Sequence, residues 1–364
     1  MLRRIQRERH VSHSGKIDGF LRKTKKRKFD STLCTANDAD AVLRRKAQFS
    51  RKVCFTNMFI ISLSNVLLML AYIVPSFLLC KAKKVTAEHL PTLSTILLYV
   101  CSPCLTFVSV TALEFSKQNL INLGLFFLVT LVLQAAVMAV IFLIFRKKYE
   151  ESKYRIFTMG TVMGNVGFFG LPVIRALFPD SPEVMTYSAA FVVSMNVLVY
   201  TVGVFCLTRD KKYMSIKPAL LNPTTIGFAV ALPFFVTGAT AYLSEIVNNA
   251  ITFVGNMSTP LCMFILGIRL ASVSFKKLFA RPFVYLTCLS KLLIFPIVSY
   301  AAVYFLPLPL TFKASVLILS ATPCANIILS LAEIHKSETE LSANCVLVST
   351  LLCFLTIPLL TLLV

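Results

Sequence analysis

Between residue 55 and residue 364 the chain is an almost unbroken succession of apolar runs, separated by short charged or Pro/Gly-rich patches. A run of about 20 apolar residues, rising about 1.5 Å per residue as a helix, matches the ~30 Å hydrocarbon core of a bilayer. Ten such runs can be drawn, at 56–80, 92–113, 120–145, 156–178, 184–207, 223–242, 246–271, 283–305, 311–332 and 341–364. Each must be helical in lipid, where an exposed backbone amide finds no water. Charged residues make up 15% of the chain and hydrophobic ones 57%, with a mean hydropathy of +0.77. Soluble domains carry ~25% charge, so there is too little polar surface here to coat a water-soluble core. The expected fold class is an all-α polytopic membrane protein. Soluble enzymes and nucleic-acid-binding modules are excluded by the same composition.

The charges orient these spans. Residues in the odd-numbered loops supply 17 Lys and Arg, against 3 (Lys117, Arg175 and Lys313) in the even-numbered loops. Cytoplasmic loops are the positive ones, so the odd loops are expected inside and both termini outside. The basic tail over 1–54, with 16 Lys and Arg, 5 acids and an RKTKKRK run at 22–28, conflicts with that topology. It stays inside with one span miscounted, or is translocated regardless, or is absent from the functional unit, with Met58 as a natural start. The composition favours the last. A nucleic-acid role for the run does not suit a ten-span chain, and contact with anionic membrane lipid is the milder expectation for a cytoplasmic tail. The remaining organisation is a first five-helix repeat over 55–208, a cytoplasmic loop over 209–222 and a second repeat over 223–364.

Prolines are costly inside helices, so their positions carry information. Pro75, Pro103 and Pro172 in the first half are followed by Pro233, Pro260 and Pro323 in the second, at offsets of 158, 157 and 151. The flanks also rhyme, SPCLTF (102–107) against TPLCMF (259–264). Five spans per half is an odd number, so the two copies lie inverted in the membrane, the pattern of a secondary transporter. The third pair falls in the two most broken spans. Span 4 reads GTVMGNVGFFGLP (160–172) and span 9 reads SATPCAN (320–326). Neither can hold an unbroken i→i−4 ladder. Polar backbone freed at mid-membrane depth must line a cavity or pack in protein, and half-helices that start there point their positive ends at it, which suits an anion.

The segments GNVGFFGLP (164–172), STPLCMFILGIRLA (258–271) and ATPCANIILSLAE (321–333), followed by LSANCVLVSTLLCFLTIPLL (341–360), resemble the auxin efflux carrier family. That family includes the PIN-type plant carriers and many bacterial members, and the resemblance covers 56–364. It implies ten transmembrane helices as two inverted five-helix repeats, with helices 4 and 9 broken and crossing, a fold like that of sodium/proton antiporters and bile-acid symporters. It also implies a homodimeric scaffold of helices 1, 2, 6 and 7, beside a moving transport domain of helices 3–5 and 8–10. Its substrates are small organic anions, indole acetate in plants and dicarboxylates such as malate in bacteria. By this resemblance Asn165, Pro172, Pro323 and Asn326 lie at the crossover, and Thr106 supplies a substrate-facing hydroxyl. The long hydrophilic loop of the plant carriers is missing between spans 5 and 6, which makes auxin doubtful as substrate. The cell membrane is the expected location.

Few ionisable residues fall within the spans. Lys291 is costly in lipid and is expected to face a cavity or a partner, where it would attract a carboxylate, or else to snorkel to the membrane edge. Asn196 and Asn344 line a cavity or bridge helices. Arg269 and Arg175, near span ends, read as interface anchors. No Asp lies in any span, Glu333 and Glu114 sit at span ends, and a carboxylate relay for coupling ions has weak support. Most of the 11 cysteines read as small apolar residues, and no cofactor or metal site is expected. An anion channel would want a continuous polar stripe rather than two breaks. A non-transporting receptor remains a further alternative. An intramembrane enzyme finds no nucleophile–base set, because the four His lie in the tail or loops.

Overall fold

The computed structural model describes residues 57–208, 215–274, 278–279, 281–335 and 337–364. The 1–54 tail therefore lies outside the described residues, as do the loop residues 209–214 and the loop cations Lys276, Lys277 and Lys336. Among the described residues every regular element is helical. Seven helices among the described residues are long and apolar enough to cross a membrane: α1 (Asn57–Lys81), α2 (Ala87–Thr111), α3 (Lys117–Lys148), α5 (Glu183–Thr208), α7 (Glu245–Ser272), α8 (Pro282–Tyr304) and α10 (Thr339–Leu363). Between them lie α6 (Pro223–Thr237) and two interrupted pairs, α4a (Ser152–Val162) with α4b (Val166–Leu177), and α9a (Leu310–Ser320) with α9b (Asn326–Ile334). The ten expected runs thus fall on seven long helices, one short helix and two broken ones. The interruptions sit where the sequence placed its Gly-Asn and Pro-Cys-Ala segments.

Local chemistry sets the helix ends. Ser116, Asn222 and Ser244 cap α3, α6 and α7 by accepting from backbone N–H groups inside the first turn, each satisfying an otherwise orphaned donor. Gly238 ends α6 in the left-handed region at φ 67°, open to glycine without steric cost. Wider π-type turns occur at Leu97–Cys101, Val166–Gly170, Val199–Gly203 and Ser290–Ile294. Three of the four end two residues before a proline, namely Pro103, Pro172 and Pro296. Proline lacks a donor and its ring collides with the carbonyl four residues back. The extra residue in the preceding turn moves that carbonyl aside, so the helix bends but continues.

The most extensive pairings join α2 to α6, α1 to the second half of α7, α3 to α5, and α8 to α9a. In α6, Gly227 lets the two chains touch: a Cβ there would stand 2.7 Å from Pro103 Cα. Of the seven long helices, α5 is the most enclosed, with 67% of its most apolar stretch buried against 22% for α1 and α3. The outer surface is hydrocarbon, as at Val132 and Ile144 on α3, because the solvent there is lipid. Polar side chains turn inward instead. Gln134 Nε2 donates to Ser194 Oγ at 2.9 Å and Thr186 Oγ1 to the Ser109 carbonyl at 2.9 Å, binding α3 to α5 and α5 to α2.

Candidate functional site

The two breaks meet. Gly164 and Cys324 form an isolated antiparallel bridge, with Asn165 N donating to the Pro323 carbonyl at 2.8 Å and Ala325 N to the Met163 carbonyl at 3.1 Å. Pro323 has no N–H to lose and uses only its carbonyl, so a proline is harmless at this position. Gly164 is required by proximity: a Cβ would collide with Thr322 Oγ1 and lie 2.8 Å from Lys291 Nζ.

On one side of the bridge, α4a and α9a end, and their last carbonyls need donors. Lys291 supplies two, from Nζ to the Val162 carbonyl at 3.2 Å and to the Ser320 carbonyl at 3.0 Å. Cys324 Sγ donates to the Gly160 carbonyl at 3.2 Å, and Thr322 Oγ1 to the Leu319 carbonyl at 2.8 Å. Lys291 is wholly buried, with its ammonium 4.8 Å from the centre of the Phe295 ring, a favourable cation–π contact. Its nitrogen sits at the negative ends of two helix dipoles. Of the cavity, partner and membrane-edge positions expected from sequence, this is the one facing a partner, here backbone carbonyls.

On the other side, α4b and α9b begin. Neither start carries a side-chain cap, and residues of both first turns, Asn165 to Phe168 and Asn326 to Ile327, line a cavity of about 110 Å³; the Val166 and Ile328 amides are met locally by the Gly164 and Ala325 carbonyls. Asn165 and Asn326 line it, and both donate through Nδ2 to one sulfur, Cys262 Sγ on α7, at 3.6 Å. Asn326 Oδ1 is buried without a hydrogen bond. Thr106 and Asn196 also line the cavity, from α2 and α5. Thr106 Oγ1 is turned back onto the Ser102 carbonyl at 2.9 Å. Asn196 Nδ2 reaches Asn222 Oδ1 at 3.5 Å, and Asn222 Nδ2 donates to Tyr200 Oη at 3.1 Å. No ionisable side chain lines this space.

Of the seven residues singled out from sequence, Asn165, Asn326, Thr106 and Asn196 converge on the cavity. Pro323 lies in the bridge behind it, Pro172 lines a different cavity and Lys291 serves the carbonyl ends. Asn344 is buried in α10, away from the cavity lining. Sequence reasoning missed Ser102, Thr224, Asn222, Ser188 and Cys262. Ser102 and Thr224 share a 2.6 Å hydroxyl–hydroxyl bond between α2 and α6. The one available signal was placement: Ser102 precedes a mid-span proline, and Asn222 and Thr224 flank the proline that opens α6.

Broken helices meeting inside an apolar bundle, around a small and mostly apolar cavity with a few polar side chains, are features of a membrane transport protein. Residues 59–219 and 207–361 both match the family described as membrane transport protein, and the chain belongs to that family, the auxin efflux carriers. It is also 22% identical over 276 residues to an uncharacterised transporter of Methanocaldococcus jannaschii, covering 75% of this chain and 89% of that one.

Proposed function

We propose that this protein is a secondary carrier that moves a small organic anion, such as a carboxylate, by an elevator motion, binding it where α4 and α9 cross. The observation that carries this reading is the polarity of the crossing. The bridge between Gly164 and Cys324 brings two helix N-termini without side-chain caps to one cavity, while four carbonyls at the C-terminal ends are met from behind by Lys291, Thr322 and Cys324. Asn donors and two positive helix ends suit an anion without any formal charge in the site. The size supports a small one. A cavity of about 110 Å³ corresponds to roughly three or four waters of liquid, well under the ~300–1,000 Å³ of sites for drug-sized ligands.

In this reading α1, α2, α6 and α7 form the scaffold and the homodimer contact, α3–α5 and α8–α10 move, and the halves 55–208 and 223–364 are inverted repeats in the cell membrane. The pairings of α2 with α6 and of α1 with α7 support that grouping. The test is uptake into proteoliposomes across a panel of mono- and dicarboxylates. Saturable uptake with counterflow is expected. Flux that rises linearly with concentration and shows no counterflow overturns the carrier in favour of a channel. A reporter fused at the C-terminus is expected to read outside the cytoplasm. A cytoplasmic reading overturns the five-plus-five arrangement.

A further inference from the structure

A second cavity, of about 580 Å³, adjoins the first and has different chemistry. It is lined from α1 by Asn65 and Tyr72, from α4b by Pro172 and Arg175, and from α7 by Asn256 and Thr259. The α1 and α7 residues lie near the mid-points of their helices, and Arg175 in the last turn of α4b, with Pro179 just beyond it, carries the cavity from mid-depth toward the even-loop face. By loop charge this is the exterior face. Leu105 and Leu171 line both cavities, and both are buried. These two leucines are therefore shared walls of the two spaces.

We propose that this vestibule is a capture site for small carboxylates, with Arg175 as its anion-binding group, sharing a leucine pair with the crossover cavity. Arg175 is the charged residue of the lining, and no carboxylate shares the cavity with it. Among the described residues it makes no ion pair or hydrogen bond, and the side chains of Tyr72, Asn256 and Thr259 make no hydrogen bonds. A surface anchor would need only the cation. Here the guanidinium opens onto a roomy space furnished with three unengaged polar groups, a setting matched to a carboxylate that takes two parallel N–H donors from Arg and further bonds from neutral partners. Low-dielectric walls of one charge sign also concentrate counter-ions. Arg175 lies ten residues beyond Asn165 on the same half-helix, roughly 15 Å along its axis, so capture and crossover sites are two stations on one element. The carboxylate class rests on the function proposed above; the concentration of anions does not.

The sequence contains no tryptophan, so a single introduced indole reports without background. Leu68→Trp places it in the vestibule lining of the full-length protein with Tyr72 kept, held in nanodiscs of neutral phosphatidylcholine with a tryptophan-free scaffold protein and checked for a monodisperse size-exclusion profile. Iodide quenching is expected to fall at least roughly twofold when Arg175→Gln is added, with quenching by neutral acrylamide unchanged. Malate is expected to protect against iodide with Arg175 present, less so with Arg175→Lys and not at all with Arg175→Gln. Iodide quenching indifferent to residue 175 overturns the vestibule as an anion site. Iodide sensitivity without malate protection overturns the carboxylate assignment. Either failure leaves the crossover reading standing, because that reading is tested by uptake through Asn165 and Asn326.

Discussion

The two sides of the helix crossing are built by opposite rules. On the carbonyl side every freed group named above has a donor, two of them from one buried lysine. On the amide side neither helix start has a side-chain cap, and an asparagine oxygen stands buried without a partner. A protein that needed only to tolerate two broken helices would satisfy both sides, since an unmet buried polar group costs about 1–3 kcal/mol. Under the proposed function the helix starts suit a ligand group that accepts hydrogen bonds, while the unpaired Asn326 Oδ1 calls for a donor on the same ligand, such as a hydroxyl or a protonated carboxyl.

The sharpest way to break this comparison is to remove the closure. Lys291→Met strips the donor from two buried carbonyls at once, about 1–3 kcal/mol each, and is expected to lower the melting temperature by roughly 5 °C or more and to abolish uptake. A Lys291→Met protein that melts like the wild type would show that the carbonyl ends need no cation. Next comes the open side. Asn165→Ala and Asn326→Ala are each expected to cut uptake roughly tenfold or more while the melting temperature stays within a few degrees, because no buried partner except a weakly accepting sulfur is lost. The double variant should cost less than the sum of the two, as expected for residues sharing one ligand. Wild-type uptake in well-folded single variants sinks the site assignment.

The leucine pair sharpens the boundary between the two cavities. Leu105→Ala with Leu171→Ala is expected to join them and to produce a leak of small anions through proteoliposomes without substrate gradient coupling, read as unsaturable flux beside the carrier activity. An unchanged leak rate places the barrier elsewhere. The smallest effect is expected from deleting residues 1–54, whose charge opposes the topology of the loops. Membrane insertion and uptake should be retained, and loss of inserted protein at matched expression would show that the tail directs insertion.

The two breaks were legible because their causes are local. Glycines at 160, 164, 167 and 170 each weaken an i→i−4 ladder, and a proline at 323 removes a donor from it, whatever surrounds them. Asn165 and Asn326 were legible for the same reason, being polar residues stranded in apolar runs. Lys291 was visible as an anomaly, but its role was not. Its ammonium reaches residues 129 and 29 positions away in sequence, and only the crossing of α4 and α9 beside α8 decides that it serves carbonyls rather than a ligand.

Hydropathy, proline spacing and loop charge belong to the chain itself, and they determined that this protein is a bundle of membrane-crossing helices interrupted at two points. Which side chains share a cavity depends on how each helix is rotated about its axis and where it crosses its neighbours. A Ser on α2 meets a Thr on α6, a single thiol on α7 accepts from both crossover asparagines, and an arginine expected at the membrane edge opens onto a vestibule. In an apolar segment nearly every rotation buries hydrocarbon equally well, so the pattern of hydrophobicity carries little orientation. That choice falls to packing between helices, which the tertiary structure alone makes.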